Sequence, residues 1–215
     1  MQRCEWCTDD PLYIEYHDKE WGVPVHDDQK LFEFLILEGI QAGLSWLTVL
    51  KKREAYRIAY KNFNPEIVAI FGKKEIDDML RNKKLIRNKL KINSSIKNAA
   101  CFLMIQKEFG SFDKYIWSFV NNKTITHKIE SPEDMIVKTP LSEKISKDLK
   151  KRGFKFVGPT IIYAFMQAIG MVNDHFTYCY RYKEINDEER KYLNFAMRFR
   201  SEHSNNDKSG SNPIE

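Results

Sequence analysis

The chain has 215 residues, of which 42% are hydrophobic and 30% charged, and its formal net charge at pH 7 is +5. This length allows one domain with a sizeable core, and the four irregularly spaced cysteines do not make a disulfide framework. No apolar run is long enough to cross a bilayer and no segment resembles a signal peptide, so we expect a soluble monomer of a reducing cytoplasm without membrane contacts.

Helical signals dominate the chain. Residues 1–26 combine tryptophans, tyrosines, cysteines and turn residues, and we do not expect them to form one regular helix. Beyond them, capping residues, prolines at first helical positions and glycines after last ones predict helices. These cover about residues 30–43, 45–60, 65 onward, 87–109, 112–120 and 143–152, the last capped by Ser142. No strand pattern of alternating polarity persists, so the predicted fold class is all-α.

Basic side chains are concentrated in two segments. Between Arg81 and Lys97 there are seven Lys or Arg and no acid, and six more between 144 and 155 are opposed only by Glu143 and Asp148. Such strips can neutralise phosphates and release counterions, which favours nucleic-acid binding. The alternative is that each is the solvated face of a helix.

Residues 149–170 join a basic helix to an apolar one through a short turn, in the layout of a helix-hairpin-helix. Glycines in such a turn let the backbone approach DNA closely, and amides at the start of the second helix can bind a phosphate oxygen. The candidate DNA-binding residues here are Lys151, Arg152, Gly153, Lys155, Gly158 and Thr160. Any helix pair needs a turn, however, so a purely structural hairpin remains the alternative.

Glu38 occupies a position where helical periodicity predicts a hydrophobic residue. It follows Leu31, Phe34 and Leu35 at the i+7 position of an apolar face. A buried carboxylate must protonate or accept hydrogen bonds, from a ligand or from a structural neighbour. With Trp46 and the aromatic residues of the first segment nearby, this acid predicts a pocket for a flat, hydrogen-bonding, cationic ring such as a nucleobase. Ordinary core packing is the alternative for the tryptophans.

His175 and Cys179 lie four residues apart at the end of an apolar run. On a helix, this spacing would place both side chains on one face, where they could share a metal ion. Two buried core residues are the alternative, because the spacing alone is not specific.

Several segments closely resemble the bacterial 3-methyladenine DNA glycosylase I family. They read RCEWC, DPLYIEYHDKEWGVP, LFEFLILEGIQAGLSWLTVLKKRE, WSFVN and KKRGFKFVGPTIIYAFMQAIGMVNDH, followed by Cys179. The resemblance covers residues 1–182 in order. It implies an all-α, helix-hairpin-helix glycosylase fold with a zinc site that joins the N- and C-terminal segments.

Under this resemblance one structural Zn²⁺ would be bound by two cysteines and two histidines, a closed set with no open position. The implied ligands are Cys4, His17, His175 and Cys179. Cys7 forms a C-x-x-C pair with Cys4, but the family pattern does not require it, and Cys101 is expected in the core.

The resemblance also implies the residues that bind the base. Glu38 would be the catalytic residue; it and Tyr16 would hydrogen-bond the base edge, while Trp46 stacks on its face. Further lining would come from Tyr13, Trp6 and Trp21. The loop that contains Gln41, Gly43 and Leu44 would fill the hole left in the duplex, although a plain helix-helix turn explains these residues too.

The implied activity is a monofunctional glycosylase that hydrolyses the N-glycosidic bond of 3-methyladenine in alkylated double-stranded DNA, within base excision repair. Residues 1–182 would be one catalytic domain, and residues 183–215 a polar tail, at least partly disordered. The first acid after the hairpin, Asp174, is expected to orient structure rather than to activate water. The alternatives are a zinc-stabilised DNA-binding module without catalysis and a glycosylase for another alkylated purine.

Overall fold

The computed structural model describes residues 1–187. Within this range the chain forms ten α-helices, a 3₁₀ turn at Pro132–Asp134 and two short strands. The helices are α1 (Pro11–Lys19), α2 (Asp28–Gln41), α3 (Trp46–Leu50), α4 (Arg53–Ala59), α5 (Pro65–Ala69), α6 (Lys73–Arg81), α7 (Lys89–Phe109), α8 (Phe112–Ser118), α9 (Pro140–Lys151) and α10 (Pro159–Ala168). Residues 180–187 are helical as well. None of the helices in this range is both long and apolar enough to span a membrane.

The long helix α7 organises the core. It packs against α2, α5, α6 and α8, while α2 also packs against α10. Phe102 of α7 stacks on Phe112 of α8 with ring centroids 4.2 Å apart, and Phe32 of α2 meets Phe102 at 5.0 Å. All three rings are fully buried. This aromatic cluster fixes α2, and with it the acid that α2 carries, against the rest of the body.

Local capping explains where most of the helices begin. Asp27 caps α2 and Ser45 caps α3, each accepting a backbone N–H with its side chain, near the starts predicted at about residues 30 and 45. Asn64 caps α5, with Pro65 at its first position. Gly110 ends α7 in the left-handed conformation, at φ +87°. The prediction of a third helix at Pro65 and of a long helix ending at residue 109 is therefore confirmed.

The single helix predicted over residues 45–60 is wrong. The structure has two helices, α3 and α4, separated by a turn at Lys51 and Lys52. The break turns Arg53 inward, where its guanidinium binds Glu20 and Glu33 at 2.5–2.9 Å. Arg53 is 7% exposed, so this buried ion pair accounts for a basic residue that a continuous amphipathic helix would not place inside.

Ser142 does not cap α9. Thr139 does so, three residues earlier, because Pro140 supplies the fixed φ and the missing N–H suited to the first helical position. Ser142 lies at the third position and closes a capping box, since its Oγ accepts the backbone N–H of Thr139 at 2.9 Å.

Two short strands contradict the expectation of no strand at all. β1 (Ile125–Thr126) pairs in parallel with β2 (Val172–Asn173). An isolated bridge between Ile129 and Phe176 continues the pairing. The pairing is too short for an alternating pattern to appear in the sequence. It fastens the segment between α8 and α9 beside residues 174–179, and the fold remains mostly helical.

The C-terminal part of the described chain packs on the body. His175 and Cys179 do not share a helical turn, because residues 174–179 follow β2 as irregular backbone. Ile185 is 2% exposed and lies against the position of Gly22, so residues beyond 182 belong to the same packed unit. The rest of the predicted tail, residues 188–215, lies outside the described residues.

Candidate functional site

A cavity of about 230 Å³ opens between α1, α2, α3 and α10. Its lining is aromatic with a few polar groups, and consists of Trp6, Tyr13, Tyr16, Trp21, Glu38, Gln41, Trp46, Met135, Ala164 and Gln167. The structure therefore brings together all six side chains expected to bind a base, together with Gln41 of the expected insertion loop.

Glu38 is the only carboxyl group in this lining. Its side chain lies on the last full turn of α2 and is 3% exposed. No group among the described residues hydrogen-bonds its Oε2. Burial raises the pKa of Glu38 to about 8. At neutral pH the isolated protein therefore keeps Glu38 mainly protonated. A cation bound in the cavity would lower this pKa and favour the carboxylate form.

The aromatic walls hold one another in place. Trp6 meets Trp21 edge-on at a centroid distance of 4.8 Å and Tyr13 at 5.2 Å. On the other side, Tyr16 and Trp46 lie 5.3 Å apart with their planes inclined by 52°. Such contacts restrict ring rotation, and they present faces and edges suited to a planar ligand. The Trp46 indole N–H is buried and has no partner among residues 1–187.

Sequence reasoning missed three lining residues, Met135, Ala164 and Gln167. Met135 reaches the cavity from the segment that the β1–β2 pairing fastens, which no local pattern predicts. Ala164 and Gln167 are three residues apart on α10 and share a face. Gln167 is the only amide side chain on this apolar helix, and that signal could have identified it.

Gln167 is oriented by Asp174. Its amide nitrogen donates to Asp174 Oδ2 at 2.8 Å, and the Tyr163 hydroxyl donates to the same oxygen at 2.6 Å. Asp174 Oδ1 lies 2.7 Å from Nδ1 of His127, and this contact raises the pKa of His127. Because the carboxylate only accepts, it claims the NH₂ group of Gln167 and leaves the carbonyl oxygen as the group free for a ligand. Asp174 therefore does not line the cavity itself, but it contacts Gln167, which does.

Four buried side chains form a separate cluster beside the cavity. One ligand atom from each of Cys4, His17, His175 and Cys179 lies within 4.8 Å of the others. The Sγ atom of Cys4 is 3.4 Å from His175 Nδ1, and that of Cys179 is 3.5 Å from His17 Nε2 and 3.6 Å from His175 Nδ1. Tetrahedral zinc with ordinary bond lengths separates sulfur and nitrogen ligands by roughly 3.6 Å, so these donors fit such an ion.

The second nitrogen of each histidine is also engaged. His17 Nδ1 donates to Asp18 Oδ1 at 2.8 Å, and Arg3 holds Asp18 in turn. His175 Nε2 donates to the Trp21 carbonyl oxygen at 3.0 Å. These acceptors fix the tautomers, so that His17 presents Nε2 and His175 presents Nδ1 to the cluster.

The remaining cysteines behave as sequence analysis expects. Cys7 is half-buried outside the cluster, and Cys101 is buried in the core.

Hydrogen bonding to Cys4 holds the pKa of Cys179 far below its ordinary value, while the same contact raises the pKa of Cys4. The buried pair therefore favours one thiolate even before a cation is considered.

A short turn joins α9 to α10 at the position where the sequence predicts a DNA-binding hairpin. Gly153 adopts φ +97°, and a side chain there would meet Cys101 Sγ at 3.3 Å, so glycine is required. Lys151, Lys155 and Thr160 are exposed around the turn, and Gly158 caps α10. Arg152 differs from expectation, because its guanidinium binds Glu108 at 2.7 Å and Asp148 at 2.8 Å. A phosphate would have to displace these carboxylates.

The loop between α2 and α3 lies at the edge of the cavity. Gln41 lines the cavity, and Leu44 is 39% exposed, one of the larger exposed apolar side chains. Gly43 adopts φ +79° in open space, where any other side chain would be strained by its backbone rather than by a neighbour. The loop therefore presents an apolar side chain on a tight turn.

A mostly helical body with an acid inside an aromatic cavity has the fold of the DNA glycosylases on which it superposes. Residues 6–182 match the family model described as methyladenine glycosylase. The chain belongs to this family.

Relatives and solved structures agree with this membership. The chain is 49% identical over 177 residues to the DNA-3-methyladenine glycosylase of Haemophilus influenzae, covering 82% of this chain and 96% of the relative. It is 48% identical to DNA-3-methyladenine glycosylase 1 of Escherichia coli over 179 residues, covering 83% of this chain and 96% of the relative.

A crystal structure of a 3-methyladenine DNA glycosylase I superposes with a TM-score of 0.81 at 49% identity, covering 83% of this chain and 98% of that one. The Staphylococcus aureus enzyme, studied for its recognition of 3-methyladenine, gives 0.81 at 39% identity, covering 84% and 96%.

Proposed function

We propose that this protein is a monofunctional DNA glycosylase that hydrolyses the N-glycosidic bond of 3-methyladenine in alkylated double-stranded DNA. The observation that carries the proposal is the burial of Glu38 among aromatic rings, with one carboxyl oxygen that no group within residues 1–187 hydrogen-bonds. The two relatives, each aligned over 96% of its own length, are named for this activity. The activity belongs to base excision repair.

The cavity suits a substrate whose base is already a good leaving group. Methylation at N3 makes adenine cationic, which weakens its bond to the sugar before the enzyme acts. A flipped base in the cavity would meet Glu38 and Tyr16 at its edge and the Trp46 ring at its face, with Tyr13, Trp6 and Trp21 completing the walls. The Glu38 carboxylate would stabilise the bound cation, and exclusion of bulk water strengthens that attraction. The bond between the base nitrogen and the sugar carbon breaks and the base leaves as neutral 3-methyladenine, while water adds to that carbon and releases a proton to solvent.

Duplex binding would use the exposed hairpin and the loop after α2. The backbone around Gly153 and Gly158, with Thr160 and the ammonium groups of Lys151 and Lys155, would hold phosphates. Arg152 would join them only by exchanging its present ion pairs. Gln41, Gly43 and Leu44 would fill the space vacated by the base, since an apolar wedge suits an unstacked duplex.

The Cys/His cluster would hold one structural zinc ion. Its four protein donors leave no open position for substrate, so the ion would supply stability rather than chemistry. The ligands come from the first 17 residues and from residues 175–179, which supports a role in joining the two segments. On this proposal one catalytic domain extends from residue 1 to at least 182.

The decisive experiment measures release of free methylated bases from methylated duplex DNA, with Glu38→Gln as an isosteric control. Release of 3-methyladenine by the wild-type protein and its loss in the variant are expected. Salt-sensitive DNA binding without release of any base would instead indicate a binding module. Release of a different purine in preference to 3-methyladenine would replace the substrate while leaving the glycosylase reaction intact.

A further inference from the structure

Lys91 reaches away from solvent into the end of α2. It is the third residue of α7, and its Nζ donates to the carbonyl oxygens of Ile40 and Ala42, each at 2.7 Å. The side chain is half-buried. These two carbonyls flank Gln41, in the last turn of α2, where backbone acceptors have no partner within the helix. An ammonium group at this helix end also matches the negative pole of the helix dipole.

The segment that Lys91 holds connects two parts of the proposed site. Glu38 lies one turn earlier on α2, and the chain continues directly into Gly43 and Leu44. We propose that Lys91 is a positioning residue of the glycosylase reaction, which fixes the loop 41–44 in the conformation that occupies the duplex after base flipping. This role rests on the proposed function. It acts through backbone carbonyls, without contact to the base.

The same face of α7 also holds the hairpin. Asn98, two helical turns after Lys91, donates from Nδ2 to the Lys155 carbonyl oxygen at 2.9 Å and accepts the Lys155 N–H at 2.8 Å. Asn98 is 4% exposed. Helix α7 thus hydrogen-bonds the proposed insertion loop through Lys91 and the proposed phosphate-binding turn through Asn98. The spacing between these two DNA-contacting elements is set by α7.

This geometry separates Lys91 from the other basic residues between Arg81 and Lys97. Sequence alone places Lys91 in a phosphate-binding strip, but its ammonium is committed to two carbonyls. Lys89 and Lys97 on the same helix are exposed and free to meet phosphates. Loss of a phosphate contact lowers the salt dependence of DNA affinity, whereas loss of a buried positioning contact does not.

The test compares Lys91→Met, Lys91→Gln and Lys91→Arg with Lys89→Met. Single-turnover excision is measured on duplex and on single-stranded methylated DNA, and binding of free 3-methyladenine by tryptophan fluorescence. For Lys91→Met we expect at least a tenfold loss of the excision rate on duplex DNA and a smaller loss on single strands. Its affinity for the free base should stay within about twofold of wild type, and the dependence of its DNA affinity on salt concentration, the salt slope, should not change.

Lys91→Arg should recover most of the rate, and Lys91→Gln, with one donor, should be intermediate. Lys89→Met should reduce the salt slope by about one.

An unchanged duplex rate in Lys91→Met, or a reduced salt slope with a normal rate at saturation, would overturn the proposal in favour of a phosphate contact. Amide hydrogen exchange over residues 40–45 gives a readout that needs no activity, and it should be faster in Lys91→Met than in the wild type. Equal exchange in both proteins would also overturn it. Absence of base release by the wild type would refute the proposed function instead, with the exchange experiment still deciding whether Lys91 holds the loop.

Discussion

His175 donates its Nε2–H to the carbonyl oxygen of Trp21 at 3.0 Å, and this bond joins the Cys/His cluster to a wall of the cavity. The two rings also meet edge-on, with centroids 4.6 Å apart, and Trp21 in turn contacts Trp6. His17 directly follows Tyr16 in α1, so a second residue of the cluster is adjacent to a second residue of the cavity wall. Disturbance of the cluster should therefore reach the base-binding surface.

Loss of the two cysteines of the cluster should lower both the zinc content and the stability of the protein. Cys4→Ser combined with Cys179→Ser should abolish binding of about one zinc per chain. It should also reduce the free energy of unfolding by several kcal/mol, and the thermal midpoint should fall with it. Elemental analysis and thermal unfolding measure these effects, and Cys7→Ser should leave both unchanged. Full zinc content in the double variant would remove the proposed ligand set.

Glu38→Gln should separate activity from stability. Base release should fall by at least about a hundredfold, because the amide cannot stabilise a cation as a carboxylate does. The raised pKa means that folding disfavours the charged form, so the wild-type penalty is absent below the unfolded value of about 4.5, grows as pH rises and is complete above about 8. The variant should be more stable than wild type by about 1–3 kcal/mol at pH 8.5 and equal near pH 4. Denaturant unfolding at both pH values tests this, and a less stable variant at pH 8.5 would contradict it.

The rate of excision should depend on the ionisation of Glu38. Because kcat/KM reports groups in the free enzyme, it should rise with pH and level off above about 8, the pKa that burial gives this acid. The bound cationic base should lower that pKa, so kcat should change less over the same range. Steady-state profiles between pH 6 and 9.5 measure both, with Glu38→Gln as the control that lacks the rise. A kcat/KM that falls across this interval would show that the protonated acid is the active form.

Gln167→Ala should weaken base binding with little effect on the fold. The substitution removes the carbonyl oxygen that Asp174 leaves free for a ligand, and we expect about a tenfold loss of affinity for 3-methyladenine. Asp174→Asn should produce part of the same loss, because an amide at position 174 no longer dictates the orientation of Gln167. Fluorescence titration measures both, against Gln29→Ala, which changes an exposed glutamine of α2 away from the cavity. Unaltered affinity in Gln167→Ala would exclude this contact.

Local chemistry made much of the fold predictable. Asp27, Ser45 and Asn64 cap helices because their side chains satisfy backbone amides within three residues, which needs no knowledge of the rest of the chain. The break before Arg53 could not be predicted in this way, because its cause is a buried ion pair with residues of α2 and of the turn after α1. The β1–β2 pairing depends likewise on contacts distant in sequence.

In the candidate site too, some residues could be predicted from local sequence, whereas others depend on contacts between distant segments. Glu38 could be identified because it interrupts an apolar periodicity, and the family resemblance supplied the aromatic residues and the ligand set. Met135 and the Gln167–Asp174 bond arise only when α10 and the segment before α9 meet in space. Lys91 is the clearest case, because sequence assigns every lysine of a basic run the same role, while the fold turns this one inward.

The order in which the ligands occur along the chain has a consequence for biosynthesis. Cys4 and His17 leave the ribosome early, whereas His175 and Cys179 emerge only after all ten helices named above have been made. A nascent chain that stops short of residue 175 has Trp21 but lacks the histidine that accepts its packing and bonds its carbonyl oxygen. The cluster can therefore close only when nearly all of the described chain has been synthesised.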